Sequence, residues 1–142
     1  MNYAVLTQNA TRRYERGGTL AGVLYFHRIS DLMMGGISTR NLKMFRKLCG
    51  DTTLQNVVIV TNMWGEVGSR VGDAREAELM EDDAFFKPVL DKGGQMARHN
   101  NTVASAESII RRILDNRPLP LRTRWNWSAS ARISQRPALA KN

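Results

Sequence analysis

Two short apolar runs stand out along the chain, residues 21–27 (AGVLYFH) and residues 56–61 (NVVIVT). Neither alternates between apolar and polar positions. Continuous runs rich in β-branched residues suit strands covered on both faces, which is the condition of a parallel sheet flanked by helices. Between them lies a segment of helix length, residues 38–50 (STRNLKMFRKLCG). It sets Leu42, Phe45, Leu48 and Cys49 on one stripe and Arg40, Lys43, Arg46 and Lys47 mostly elsewhere. Ser38 is placed to cap this helix and Gly50 to end it. The spacing between the two runs is about thirty residues, the length of one strand–helix–strand crossover.

The pattern then repeats more faintly. Gly65 and Gly68 mark a loop, a polar helix is predicted over residues 71–81, and Pro88 with Gly93 and Gly94 predicts a break in regular structure over residues 85–94 (FFKPVLDKGG). A weak strand over residues 95–98 precedes the clearest helix in the chain, residues 103–116. There Val103, Ala106, Ile110, Ile113 and Leu114 recur at intervals of three and four, and Pro118 and Pro120 end the pattern. The fold class that results is α/β: about three parallel strands with helices on both faces, part of a doubly wound three-layer α/β/α sheet. Open parallel sheets usually have about five or six strands. A three-stranded one leaves apolar edges and helix faces needing cover, so the chain reads as part of a domain.

Composition changes this picture little, because 42% hydrophobic and 24% charged residues in a 142-residue chain are ordinary for one globular domain. Charge changes it more. The net +8 invites a nucleic-acid reading, yet residues 1–116 carry 15 Lys/Arg against 13 Asp/Glu, whereas residues 117–142 carry six against none. The excess therefore sits in a basic tail, which is expected to be a disordered end and, as the second reading, a nucleic-acid contact. Cys49 is alone, so no intramolecular disulfide can form, and no signal-like start is evident. A reducing, cytoplasmic setting is expected. No apolar run approaches the roughly 18 residues that a bilayer crossing needs.

In parallel sheets ligands bind beyond the carboxyl ends of the strands, which directs attention to residues 27–36, 61–67 and 98–102. Their polar content is Arg28, Ser30 and Asp31, then Thr61, Asn62 and Glu66 with Trp64 among them, then Arg98, His99, Asn100 and Asn101. Two histidines far apart and without clustered acids or thiols make no metal site.

Along residues 14–121, strings such as FHRISD, MGGIS and VTNMWGEV occur in an order that resembles the C-terminal half of a family. It is the family of G-domain-containing proteins of mushroom-forming fungi, P-loop GTPase-like proteins related to septins and immunity-associated GTPases. The resemblance implies GTP or another purine nucleotide as ligand. In such proteins the strand at this position ends in Asn/Thr-Lys-x-Asp, whose aspartate reads guanine; Thr61 falls on the first position, Asn62 on the lysine and Trp64 on the aspartate. An indole has one donor and no acceptor, so Trp64 cannot replace the carboxylate, although its ring can stack on a purine or simply cover a sheet edge. Glu66 is the substitute carboxylate if its loop turns inward, and Arg98 or His99 falls in the last base-contacting loop.

The phosphate-binding half of the pattern is missing. The chain contains no G-x-x-x-x-G-K-[ST], the loop that cradles the phosphates and whose hydroxyl holds Mg2+, so Mg2+ is expected only with that half. Asp91 to Gly94 matches Asp-x-x-Gly by letters only. Residues 1–13 do not match the family. Residues 122–142 are expected to be a frameshifted or misspliced end, since a two-base shift across Trp125-Asn126-Trp127 must read Glu-Leu, and the family continues there with a charged helix containing Glu-Leu-Val. A transcript with one uninterrupted frame shared with close relatives refutes this.

Three functions are therefore expected in order. The first is a base-binding, GTPase-like fragment that does not hydrolyse nucleotide by itself. The second is a basic nucleic-acid binder acting through Arg122, Trp125, Trp127, Arg132 and Arg136. The third is a scaffold whose sheet edge pairs in a homodimer or with a second G domain.

Overall fold

A computed structural model of the chain describes residues 19–31 and 36–119. Three strands, β1 (Val23–Arg28), β2 (Val57–Asn62) and β3 (Gln95–Arg98), form one parallel sheet in the order β1-β2-β3. Helix α1 (Gly36–Cys49) connects the first pair. Helices α2 (Ser69–Glu81) and α3 (Lys87–Asp91) connect the second, and α4 (Val103–Leu114) follows β3. The predicted α/β class with a small parallel sheet is what the chain adopts.

Register divides the side chains between two layers. Val23, Tyr25, Val57, Ile59 and Met96 face one side, where a core of Ile29, Leu42, Cys49, Leu54, Leu79, Phe86 and Val89 packs against them. Tyr25 and His27 both meet Phe86 in T-shaped contacts, with ring centroids 5.7 and 5.5 Å apart. The opposite face is thinner. There Val58, Val60 and Ala97 pack on Ile109 of α4, with Leu24 and Ile113 at the margin.

β2 is the central strand, and all its residues from Val57 to Thr61 are buried, as its continuous apolar run predicts. β1 behaves differently. It is an outer strand of the described sheet, and Phe26 is 52% exposed, so the expectation of cover on both faces fails for this run. An apolar run specifies a strand's preference for burial but not the supply of a helix to bury it.

Three local expectations are also corrected. Helix α1 begins at Gly36, which places Ser38 inside its first turn rather than at its cap. Glycine serves at a helix start because that turn's amides have no helical partner to lose. Pro88 does not break the chain: it sits in the first turn of α3, where a missing N–H costs no hydrogen bond. The apolar stripe read on α4 omitted its one buried residue, Ile109, and included Val103, Ile110 and Leu114, all of which are exposed.

Gly22 shows how tightly the amino ends of the strands are closed. A Cβ there would lie 2.6 Å from Ile113 Cγ2 and 2.7 Å from the carbonyl oxygen of Asn56. Asn56 in turn donates from Nδ2 to the Arg117 carbonyl at 2.8 Å, and Leu20 and Leu119 exchange two backbone hydrogen bonds.

Candidate functional site

The parallel arrangement brings the carboxyl ends of all three strands to one rim. Arg28, Asn62 and Arg98 end their strands there, and β2 is followed by a single turn of 3-10 helix, Trp64–Glu66, entered through Met63 in a left-handed conformation at φ 62°. That reversal folds the Trp64 ring back over the strand it has just left. Its indole N–H lies 3.2 Å from both the carbonyl and the hydroxyl oxygen of Thr61.

Thr61 is fully buried, and its hydroxyl is 3.4 Å from Glu76 Oε1 on α2 and from the Ala97 carbonyl on β3. One hydroxyl proton serves one of these acceptors, while the lone pairs receive the indole. Thr61 therefore ties together the strand end, the tryptophan and α2.

Arg98 closes the assembly from above. Its guanidinium carbon stands 4.0 Å from the centre of the Trp64 ring, a cation–π contact. The guanidinium donates from Nε to Glu76 Oε2 at 2.9 Å and from a terminal nitrogen to Asp73 Oδ1 at 2.9 Å, with a further contact from that nitrogen to Glu76. These acids, with Glu76 first, hold the Arg98 guanidinium more firmly protonated than usual. Against another part of the indole runs α2 at Gly72, where a Cβ would come within 2.8 Å of Trp64 Cζ3. The half-buried ring is therefore flanked by Arg98 and Gly72, and one face already carries a planar cation of the kind that competes with a purine for stacking.

The remaining rim residues have their own partners. Glu66 pairs with Arg28 at 3.2 Å, and the neighbouring Ser30 side chain and the Arg28 guanidinium together hold its carboxyl below the usual range. Arg75 donates to the carbonyls of Ile29 and Ser30 at 2.9 and 3.1 Å, fixing the chain as it leaves β1. His99 has Nδ1 2.7 Å from the Ser105 hydroxyl, which lies 3.1 Å from the Thr102 carbonyl. With the Ser105 proton directed to that carbonyl, the hydroxyl accepts from His99, which puts the imidazole hydrogen on Nδ1. Asn62 Oδ1 and Ser30 Oγ differ from these: both are buried without a hydrogen-bond partner among the described residues.

Thr61, Trp64 and Arg98 thus form one cluster, while Asn62, Glu66 and His99 stand around it with separate contacts. Sequence reasoning missed Asp73, Glu76 and Arg75. The three-residue interval from Asp73 to Glu76 places two acids on one face of a helix predicted to be polar, but nothing in that interval names Arg98 as their partner. Asp91 to Gly94 lies at the amino end of β3, at the end of the strand opposite to the rim. Among the described residues no group of His, Cys, Asp and Glu could hold a metal ion, and no helix is long and apolar enough to cross a membrane. Arg122, Trp125, Trp127, Arg132 and Arg136 lie outside the described residues. Comparison with family models, with curated proteins and with solved structures gives no match.

Proposed function

We propose that this chain is the base-side part of a GTPase-like nucleotide-binding domain, taking a purine at the carboxyl rim of β2 and β3. The observation that carries the reading is the convergence of Thr61, Trp64 and Arg98 at the rim where parallel sheets hold ligands. The resemblance of residues 14–121 to G-domain proteins supports it from the sequence side.

On this reading the free rim is closed by its own arginine. A base reaches the indole only when Arg98 slides along or leaves the ring, still paired with Asp73 and Glu76. Binding is therefore weak. It shows no preference for guanine over adenine, because Trp64 stands where the resemblance puts the guanine-reading carboxylate and Glu66, the substitute, is paired with Arg28. Phosphoryl transfer is not performed, since it depends on positioning and neutralising phosphates and the chain contains no phosphate-binding loop.

Equilibrium dialysis with guanosine, GTP and ATP, with and without Mg2+, tests this. Millimolar affinity that is the same for nucleoside and triphosphate, indifferent to Mg2+ and lost in Trp64→Ala, is the expected result. Tight Mg2+-dependent GTP binding, or no binding of any purine, refutes it.

A further inference from the structure

On α4, Ile109 points at the sheet, and each residue turns the helix by about 100°. Arg112 falls on one flank and donates to Gln95 of β3 at 3.1 Å, so that flank overhangs β3. Ile113 falls on the other side and crowds Gly22, the residue before β1, which fixes the opposite flank over β1. Val103, Ile110 and Leu114 lie on that β1 flank, 76%, 47% and 68% exposed. Phe26 shares their layer, because β1 and β2 are in register and Val60, its neighbour, packs under Ile109.

The helix therefore presents two apolar stripes. One is used by the sheet, and the other faces outward beside an outer strand that also exposes an aromatic ring. Glu107 continues the outward stripe and Arg111 adjoins it one turn further on; both are exposed, and neither forms an ion pair within the described residues. Opposite charges one turn apart make the stripe complementary to itself when reversed. In an antiparallel pair of such helices about a two-fold axis near Ile109, Glu107 stands opposite the partner's Arg111, and Arg111 opposite the partner's Glu107. The Ile110 side chains meet close to the axis.

We infer that the β1 flank of α4 is a self-association surface whose occupant is the same flank of a second copy of this chain. Val103, Ile110, Leu114 and Phe26 supply the apolar contact, and the reciprocal Glu107–Arg111 pairs set its direction. The inference is independent of nucleotide binding, because its residues lie on the helix layer away from Trp64 and Arg98.

Sedimentation velocity on the full chain from about 2 to 200 µM tests it, with far-UV circular dichroism to show that each variant keeps its helices. A concentration-dependent dimer is expected. Ile110→Glu abolishes it; this position is solvent-exposed in the free chain, so the fold is retained. Glu107→Arg and Arg111→Glu each weaken the dimer about tenfold or more, and the double reversal restores it to near wild-type strength. A wild-type chain that stays monomeric throughout overturns the inference. So does a double reversal no stronger than the single ones, since the association would then lack the antiparallel pairing.

Discussion

Arg98→Met removes the guanidinium while keeping most of the aliphatic stem, and the structure assigns it three separable consequences. The contact with Trp64 is half-buried, and a cation–π pair in that setting contributes about 1 kcal/mol. The pair with Asp73 joins side chains 50% and 59% exposed, where solvent leaves between zero and about 1 kcal/mol. Glu76 is the larger matter, because its side chain is only 13% exposed and loses its cation. Leaving a wholly buried carboxylate unpaired costs about 3–5 kcal/mol, and since the lost partner here is half-exposed a cost of about 1–2 kcal/mol follows. The variant is expected to lose about 2–4 kcal/mol in urea denaturation followed by circular dichroism, with an unchanged slope. Glu76→Gln in the Arg98→Met background should recover about 1–2 kcal/mol, because glutamine keeps an acceptor for Thr61 without the charge. An Arg98→Met loss below about 0.5 kcal/mol, or a second substitution that recovers nothing, would show that the carboxylate is hydrated in solution and that the rim is not held by its arginine.

Other outcomes follow from the packing and from titration. Gly22→Ala should cost about 1–3 kcal/mol by overpacking, since Asn56 O is backbone and cannot move aside as Ile113 can; a neutral effect in the same denaturation assay contradicts the closure drawn at the strands' amino ends. Burial lowers the His27 pKa from its ordinary 6.5, against a smaller opposing pull from Asp31. The unfolded chain therefore binds the proton first: the stability from neutral His27 is complete above about pH 6.5 and declines as pH falls towards the folded value. His27→Phe should flatten the denaturation midpoint between pH 7 and 5 relative to wild type, and an unaltered slope there rules His27 out as the cause. The Cys49 thiol is pushed up to about 12 by burial, so it should react with a thiol-specific disulfide reagent only at the rate of unfolding. Rapid labelling of the folded chain at pH 8 would contradict its burial.

The sequence alone determined the three strands, the longer helices and the parallel pairing. The run Val57 to Val60 has no polar residue with which to face water, so it must be a central strand, and the crossover spacing then makes its pairing with β1 parallel. The composition of the rim was also legible, because in a parallel sheet the residues after each strand must meet at one end, wherever the helices lie. Partnership was not legible. Arg98 reaches Glu76, 22 positions back, and covers Trp64 only because Met63 takes a left-handed turn that no local propensity demands of methionine. The division of α4 into a used and an unused apolar stripe was equally hidden. Periodicity reports which residues share a helix face, but how much of that face a sheet covers depends on how many strands lie beneath it, and that is a property of the assembled layers.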